Sequence, residues 1–539
     1  MHKATKHLSW ILTALVAIVG AYVTFQTALN LDVGFFLLAA RSVADGRILY
    51  ETFPDYSMPA NVWIALFSLH IANLTGILLA YVHQAVLLSL TAAGAILTGI
   101  VVSRTAGPRT LTGRAMPPLI MALFLIIPGY DSGQRDVLFI VLAAPLVAIT
   151  AARHFGLVPG WRLSSGIVAL AAIGASLKPQ YFLPLLALGG CDLALRRGRP
   201  GQIAGELWAL AVILACYGVV VQVIYPTYFF QVLPNAAKFY AFQKAWIVSL
   251  ILVLRVAAAA GAASAVLLLA ILRERALSNQ PIPWGIVAAW AVFGISLLVV
   301  YYVQHMGFRY HRVPPLLYGL VSMALFAVMS IEIGIRRWTA GYRLRAIVLG
   351  FGATAISLAV IAMAALAPTR NFNLPGTSRA DCLGDPVTRI FRSLPSASYV
   401  LSLQTGVPPI SPLHAYADVR WSGEFGSLQE ISAIVLEAAK DVAAGRERDP
   451  YFVALERHVR EAVVRSLTLR PPRIVLVDVT VPLRWFEHFN QPFSLLPWLN
   501  KDPAFVAAWA NYEYVETVPS FEGVTVEVWR QRDHPGSQS

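Results

Sequence analysis

Charged residues are scarce in this sequence. Asp, Glu, Lys and Arg make up 13% of its 539 residues, against about 25% in an ordinary soluble domain, and 57% of the residues are hydrophobic. This composition excludes a chain that consists only of a soluble globular domain. Long apolar runs fill the chain to about Leu366, and charge density rises after that point. The sequence therefore predicts a membrane part followed by a globular part.

Cysteine is also rare, and the arrangements that build metal or disulfide frameworks are missing. Cys191 and Cys216 lie in or beside apolar runs, Cys382 stands alone in the polar part, and no CxxC motif occurs. The sequence thus supports neither a zinc site nor disulfide cross-links. The polar part also lacks the GxGxxG, P-loop, GxSxG and HExxH motifs, which removes the commonest nucleotide, hydrolase and metalloprotease signatures.

The apolar runs are long enough for many membrane spans, since a spanning helix needs about 20 apolar residues. Eleven segments are candidates: 8–29, 80–103, 115–129, 134–152, 164–178, 180–195, 205–225, 247–272, 284–303, 314–335 and 346–367. The first follows Lys3 and Lys6 and lacks a convincing cleavage site, so we interpret it as a retained helix, not a signal peptide. The run Met58–Ala80 is interpreted as a helix lying at the membrane interface.

Basic residues outnumber acidic ones by 42 to 29, for a net charge of +13. Nucleic-acid binding does not explain this excess, because the arginines fall in short clusters between apolar runs, where membrane topology places them. With Met58–Ala80 left out of the count, the clusters share the side of Lys3 and Lys6; they are Arg104/Arg109/Arg114, Arg153/Arg162, Arg196/Arg197/Arg199, Arg273/Arg275 and Arg336/Arg337/Arg343/Arg345. The positive-inside rule then predicts a cytoplasmic N-terminus in the cell inner membrane, with the C-terminal domain periplasmic or extracellular.

The predicted fold is a polytopic α-helical membrane domain over residues 1–367, whose external loop 30–80 carries the interfacial helix, and an external α/β domain over 368–539. Periodicity in the second part predicts four strands and two amphipathic helices. The strands are Tyr399–Leu403, Arg473–Thr480, Tyr512–Val518 and Val524–Arg530, and the helices are Leu428–Ala443 and Phe452–Ser466.

The first outer loop, LDVGFFLLAARSVADGRILYETFPDYSMPA, has an acid just past the first span, an A-x-x-x-x-x-G segment, a Tyr, and a Pro before an amphipathic helix. This arrangement resembles the first loop of the GT-C glycosyltransferases. The segments GQRDVLFIVLAAPL, SLKPQYFLPLL and QHMGFRYHRVPP resemble bacterial membrane enzymes of the same superfamily. The resemblance implies a GT-C-like membrane domain, a donor sugar on a polyprenyl or dolichyl phosphate, and a reacting Asp or Glu in the first loop.

Glycosyl transfer needs a base that takes the proton of the acceptor hydroxyl. Asp32 is the first candidate, because it lies at the end of a span, where partial desolvation makes a carboxylate a better base. The alternative is that Asp32 only caps the following helix. Glu51 and Asp55 are the other catalytic candidates. No metal cofactor is predicted, although Asp32 with a second acid could bind a divalent cation through its oxygens.

The leaving phosphate needs positive groups, which arginine and lysine supply. The candidate substrate-binding residues are Arg135, Asp136, Lys178, Arg255, Arg309, His311 and Arg312. Other interpretations stay open. The cluster at 309–312 can extend to ordinary lipid headgroups, Asp136 can favour a helix N-terminus, and Arg255, deep inside an apolar run, can pair with a buried acid.

The sequence thus predicts an enzyme that transfers a sugar from a polyprenyl-phosphate-linked donor to a glycan, lipid-linked or protein acceptor at the outer membrane face. Two other functions stay open. A transporter or flippase of a lipid-linked sugar would carry charges deep within several spans and symmetry between two halves. A non-catalytic envelope assembly protein would use the external domain for docking. Membrane lipid is the expected surrounding, and nucleic acid is not an expected partner.

Overall fold

The structure is a computed structural model. It describes residues 2–53, 55–154, 156–195, 205–236, 284–304, 309–339, 341, 377–484, 486 and 493–532. The chain divides into two compact units that interleave along the sequence. The helical unit comprises Met1–Thr27, Gln84–Val220 and Lys244–Leu374, and the sheet unit comprises Ala28–His83, Val221–Gln243 and Pro375–Ser539. The predicted external loop therefore belongs to the same unit as the predicted α/β domain.

Eleven helices are described before residue 340. They are α1 His2–Gln26, α2 Leu31–Ala44, α3 Pro59–Thr75, α4 Leu79–Ala106, α5 Leu111–Leu125, α6 Arg135–Arg153, α7 Trp161–Ala175, α8 Phe182–Leu195, α9 Gly205–Ile224, α10 Trp284–Gln304 and α11 Val313–Thr339. By length and composition, five described helices can cross a membrane: His7–Gln26, Leu79–Ala106, Arg135–Arg153, Gly205–Ile224 and Tyr310–Arg336. The predicted spans 247–272 and 346–367 lie outside the described residues, so the count of eleven stays a prediction.

Helix α6 is the centre of the helical unit. Of the residues in its apolar stretch, 89% are buried. The helix packs on α7, α10 and α11. Two glycines allow neighbouring helices to approach it closely. A Cβ on Gly94 of α4 would lie 2.6 Å from the Val141 carbonyl oxygen, and one on Gly174 of α7 would lie 3.1 Å from Leu142 Cβ. Small residues at helix crossings allow apolar helices to pack closely in membranes. The residues at the N-terminal end of α6 are therefore held inside the unit.

The C-terminal part contains a five-stranded sheet with short and long helices. In chain order its elements are α12 Arg379–Gly384, α13 Pro386–Ser393, β1 Ser398–Leu403, α14 Ile410–Leu413, β2 Val419–Trp421, α15 Glu430–Ala443, α16 Pro450–Thr468, β3 Ile474–Asp478, α17 Leu495–Leu499, α18 Pro503–Trp509, β4 Tyr512–Pro519 and β5 Thr525–Gln531. The strand order is β2-β1-β3-β5-β4; β1 pairs in parallel with β2 and β3, and β5 pairs antiparallel with β3 and β4. All four predicted strands and both predicted helices are confirmed.

The predicted external loop 30–80 is folded into two helices, α2 and α3, which pack on each other. The Asn30 side chain caps α2 by accepting a hydrogen bond from the Asp32 amide at 3.1 Å. Pro59 begins α3 and Gly76, in the left-handed region at φ 69°, ends it, as expected of residues at helix starts and stops. That α3 lies at the membrane interface stays a prediction.

Candidate functional site

Lys178 is the centre of a polar group inside the helical unit. It lies between α7 and α8 in extended backbone conformation, and only 6% of its surface is exposed. Its ammonium nitrogen Nζ donates to Asp136 Oδ2 at 2.7 Å. Asp136, in the first turn of α6, has no exposed surface. A buried charge is costly unless it is paired, and this ion pair compensates the charges of both residues.

Two further groups surround the Lys178 ammonium at longer range. Its Nζ lies 3.3 Å from His311 Nε2 and 3.4 Å from Gln304 Oε1. Because an ammonium has donors and no acceptor, both groups have to accept from it. The rings of Tyr310 and Tyr181 lie 5.5 and 5.9 Å from Nζ, within cation–π range. Segments from the ends of α6, α7, α10 and α11 thus converge on one cation.

The lengths of these contacts define what the cluster can do. An ammonium is a compact charge with three donors that can be redirected. The contact to Asp136 is short, whereas those to His311 and Gln304 are near the limit for hydrogen bonds. A phosphate oxygen can replace the two longer contacts while Asp136 still holds the lysine. The arrangement is therefore suited to receive an anion without leaving Asp136 unpaired.

The structure brings together four of the seven predicted substrate-binding residues. These four are Arg135, Asp136, Lys178 and His311. Arg135 is half-buried beside Asp136 and is close enough to interact electrostatically with His311 and Tyr181. Of the other three, Arg312 is half-buried in the turn before α11, near Tyr301. The backbone of Arg309 lies in the same turn, and Arg255 lies outside the described residues.

The three predicted catalytic residues belong to the sheet unit. Asp32 is half-buried in the first turn of α2. The side chain that accepts the capping hydrogen bond of α2 is that of Asn30, and Asp32 is the acid in its first turn. The Asp55 carboxylate is 7% exposed and accepts from the Ser57 amide at 3.0 Å. Glu51 is exposed.

Glu430 is a buried carboxyl group that sequence reasoning missed. It begins α15, is 4% exposed, and its Oε1 accepts from the Tyr56 hydroxyl at 3.1 Å. Burial raises the pKa of Glu430 to about 7, since desolvation disfavours the charged form. Tyr56 follows Asp55 directly, so this carboxyl group contacts the loop that the sequence singles out.

Replacing Glu430 with Gln should stabilise the protein at alkaline pH. The folded-state pKa lies above the ordinary value of 4.5, so the stability linked to Glu430 is complete below about pH 4.5 and is lost as pH rises through 7. At 1.36 kcal/mol per pKa unit, the variant gains about 3 kcal/mol at pH 8. Thermal unfolding of the full chain in detergent between pH 4 and 8 measures this. A difference between variant and native protein that does not change with pH would contradict the prediction.

The comparisons with known proteins find a likeness of structure but none of sequence. No protein-family model matches the chain, and no curated protein matches its sequence. Among solved structures, the chain is similar to ArnT from Cupriavidus metallidurans, crystallised bound to undecaprenyl phosphate. The alignment covers 96% of this chain and 97% of that chain, with 10% sequence identity and a TM-score of 0.49. A likeness at this level assigns no residue role and no activity here.

Proposed function

We propose that this protein is a membrane glycosyltransferase of the GT-C type, which moves a sugar from a polyprenyl-phosphate carrier to an acceptor hydroxyl at the outer membrane face. In the proposed reaction the acceptor oxygen attacks the anomeric carbon of the sugar. The bond between that carbon and the phosphate oxygen breaks, and the polyprenyl phosphate leaves with the electron pair. Asp32 takes the proton of the acceptor hydroxyl, with Asp55 and Glu51 as the other candidates.

The observation that carries this proposal is the buried Lys178–Asp136 pair with His311 and Gln304 at its side. A leaving phosphate develops negative charge as the bond breaks, and a cation already in place and shielded from water stabilises that charge strongly. The pair lies where apolar helices end, and the proposal puts it at the depth of a lipid headgroup. The motif segments that resemble GT-C enzymes contain Lys178, Gln304 and His311.

Two other polar pairs of the described helices also lie at helix ends. Arg153, the last residue of α6, makes two hydrogen bonds to Glu206, the second residue of α9. His154 lies 3.3 Å from Asp192, in the last turn of α8. Substrate sites of transporters lie near the bilayer midplane, and Arg255, the predicted deep charge, lies outside the described residues, so the transporter alternative is decided by the transport assay below.

Purified full-length protein in lipid nanodiscs tests the proposal. We expect it to bind undecaprenyl phosphate and, with a panel of undecaprenyl-phosphate-linked sugars and with glycan, lipid-linked and protein acceptors supplied, to release free undecaprenyl phosphate over time. EDTA should leave the rate unchanged, because the proposal includes no metal. Empty nanodiscs are the control for spontaneous hydrolysis.

The same preparation in vesicles separates the alternatives. Movement of an intact lipid-linked sugar across the bilayer, without release of undecaprenyl phosphate, would identify a flippase. Absence of binding, release and movement with every donor and acceptor of the panel would favour an assembly protein. Either result would overturn the proposed enzyme.

A further inference from the structure

We propose that the C-terminal domain acts as a positioning device for Asp32, in addition to any role in holding the acceptor. The inference rests on the proposed function and concerns the sheet unit alone. The structural element is the segment 410–421, which links β1 to β2 and is named here the bracing segment. It contacts helix α2, which carries Asp32, at both ends.

The first contact fixes the start of α2. The Leu29 amide donates to the Tyr416 hydroxyl at 3.0 Å, and the Ser411 hydroxyl donates to the Leu31 carbonyl. Leu31 is the first residue of α2 and precedes Asp32 directly. Amides in the first turn of a helix have no partner within the helix, and carbonyls there have only one. The bonds from the bracing segment therefore determine where the turn lies.

The second contact is a close approach at Gly34, two residues after Asp32. A Cβ at this position would lie 2.3 Å from Ser411 Oγ and 2.7 Å from Pro412 Cα, distances that real Cβ atoms do not tolerate. The backbone of α2 therefore lies directly against the bracing segment. Only glycine permits this approach without displacing one of the two segments.

The third contact fixes the other end of the helix. The Arg41 guanidinium donates to three backbone carbonyls of the bracing segment, those of His414 at 3.0 Å, Val419 at 2.8 Å and Ala417 at 3.2 Å. A planar guanidinium with five donors can satisfy several carbonyls at once, which a lysine cannot do. Held at its start, at Gly34 and at Arg41, α2 can neither rotate nor slide relative to the bracing segment.

This fixation matters for a reacting carboxylate because a misplacement of about 1 Å at a catalytic group can cost roughly 100-fold in rate. The residues that brace α2 do not have to touch the substrate to control turnover. We therefore assign Gly34, Arg41 and Ser411 as positioning residues. The C-terminal domain then contributes to the rate of the chemical step as well as to acceptor binding.

The test is a pair of matched glycine substitutions, assayed with the donor that the native protein uses. Gly34→Ala is expected to lower kcat by about 10- to 100-fold, while KM for the donor and undecaprenyl phosphate binding change less than about twofold. Alanine favours a helix more than glycine does, so a weaker helix would not explain the loss. The control is Gly384→Ala, where a Cβ meets nothing within 4 Å, and native kcat is expected.

A second variant keeps the test decisive if Gly34→Ala fails to fold. Arg41→Lys keeps the charge but loses the planar guanidinium group that reaches several carbonyls at once. The kcat of this variant should fall about 10-fold with KM unchanged. Native kcat in a folded Arg41→Lys or Gly34→Ala protein, alongside an inactive Asp32→Asn protein, would overturn the positioning role alone. Full activity of Asp32→Asn would instead remove the catalytic role of Asp32 on which the inference rests.

Discussion

The double variant Lys178→Met/Asp136→Asn is expected to fold and to lose at least about 100-fold in the rate of sugar transfer, the loss typical when a preorganised charge-stabilising group is removed. The physical reason is that the substitutions delete the cation proposed to receive the leaving phosphate. The rate of undecaprenyl phosphate release measures the loss. Binding of undecaprenyl phosphate should weaken in parallel.

The double substitution is needed because Lys178→Met alone leaves Asp136 as a buried carboxylate without its cation, which costs about 3–5 kcal/mol of stability. The single variant is expected to unfold at lower temperature, and the second substitution should restore the thermal midpoint without restoring transfer. Near-native transfer by the folded double variant would show that the pair only stabilises the helical unit.

Asp32→Asn is expected to reduce transfer by about 100- to 10,000-fold, the usual contribution of a positioned general base. Asparagine has nearly the shape of aspartate but cannot take the acceptor proton. Binding of undecaprenyl phosphate should change little, since the base acts on the other reactant. The measurement is the initial rate of transfer at saturating donor.

A carboxylate far from the proposed chemistry serves as control. Glu513 is exposed on the edge strand β4, and Glu513→Gln should transfer at the native rate. Asp55→Asn and Glu51→Gln decide between the candidates: if either abolishes transfer while Asp32→Asn remains active, the base is that residue and Asp32 has another role.

Much of the sheet domain could be predicted because β3 carries an unbroken apolar signal and β5 an alternating one. Strand β3, Ile474–Asp478, is buried at every residue, as expected of a strand covered on both faces. Strand β2, Val419–Trp421, escaped prediction because three residues, although they alternate between buried and exposed, are too few to establish a period. Helix α2 was not predicted as a separate element, since its apolar stretch of 14 residues is too short to span a membrane and follows the first span closely.

The residues of the candidate site could be predicted singly but not as a group. Hydropathy shows that Lys178 and His311 lie at the ends of apolar runs, but it does not show which runs are neighbours. The contacts of Lys178 with Asp136 and His311 join residues 42 and 133 positions apart. Glu430 escaped because a carboxylate on an amphipathic helix normally faces water; its burial depends on Tyr56, 374 positions earlier in the chain.

The interleaving of the two units has a consequence for synthesis of the protein. Leu29 bonds to Tyr416, 387 positions later, so the first outer loop emerges long before the segment that covers it. At about 5–20 residues per second, the ribosome needs roughly 20–80 s to make the intervening chain. During that interval the apolar face of α2 lacks its final cover. A single cut between the predicted domains would separate α2 from this cover, so neither fragment would contain a complete sheet unit.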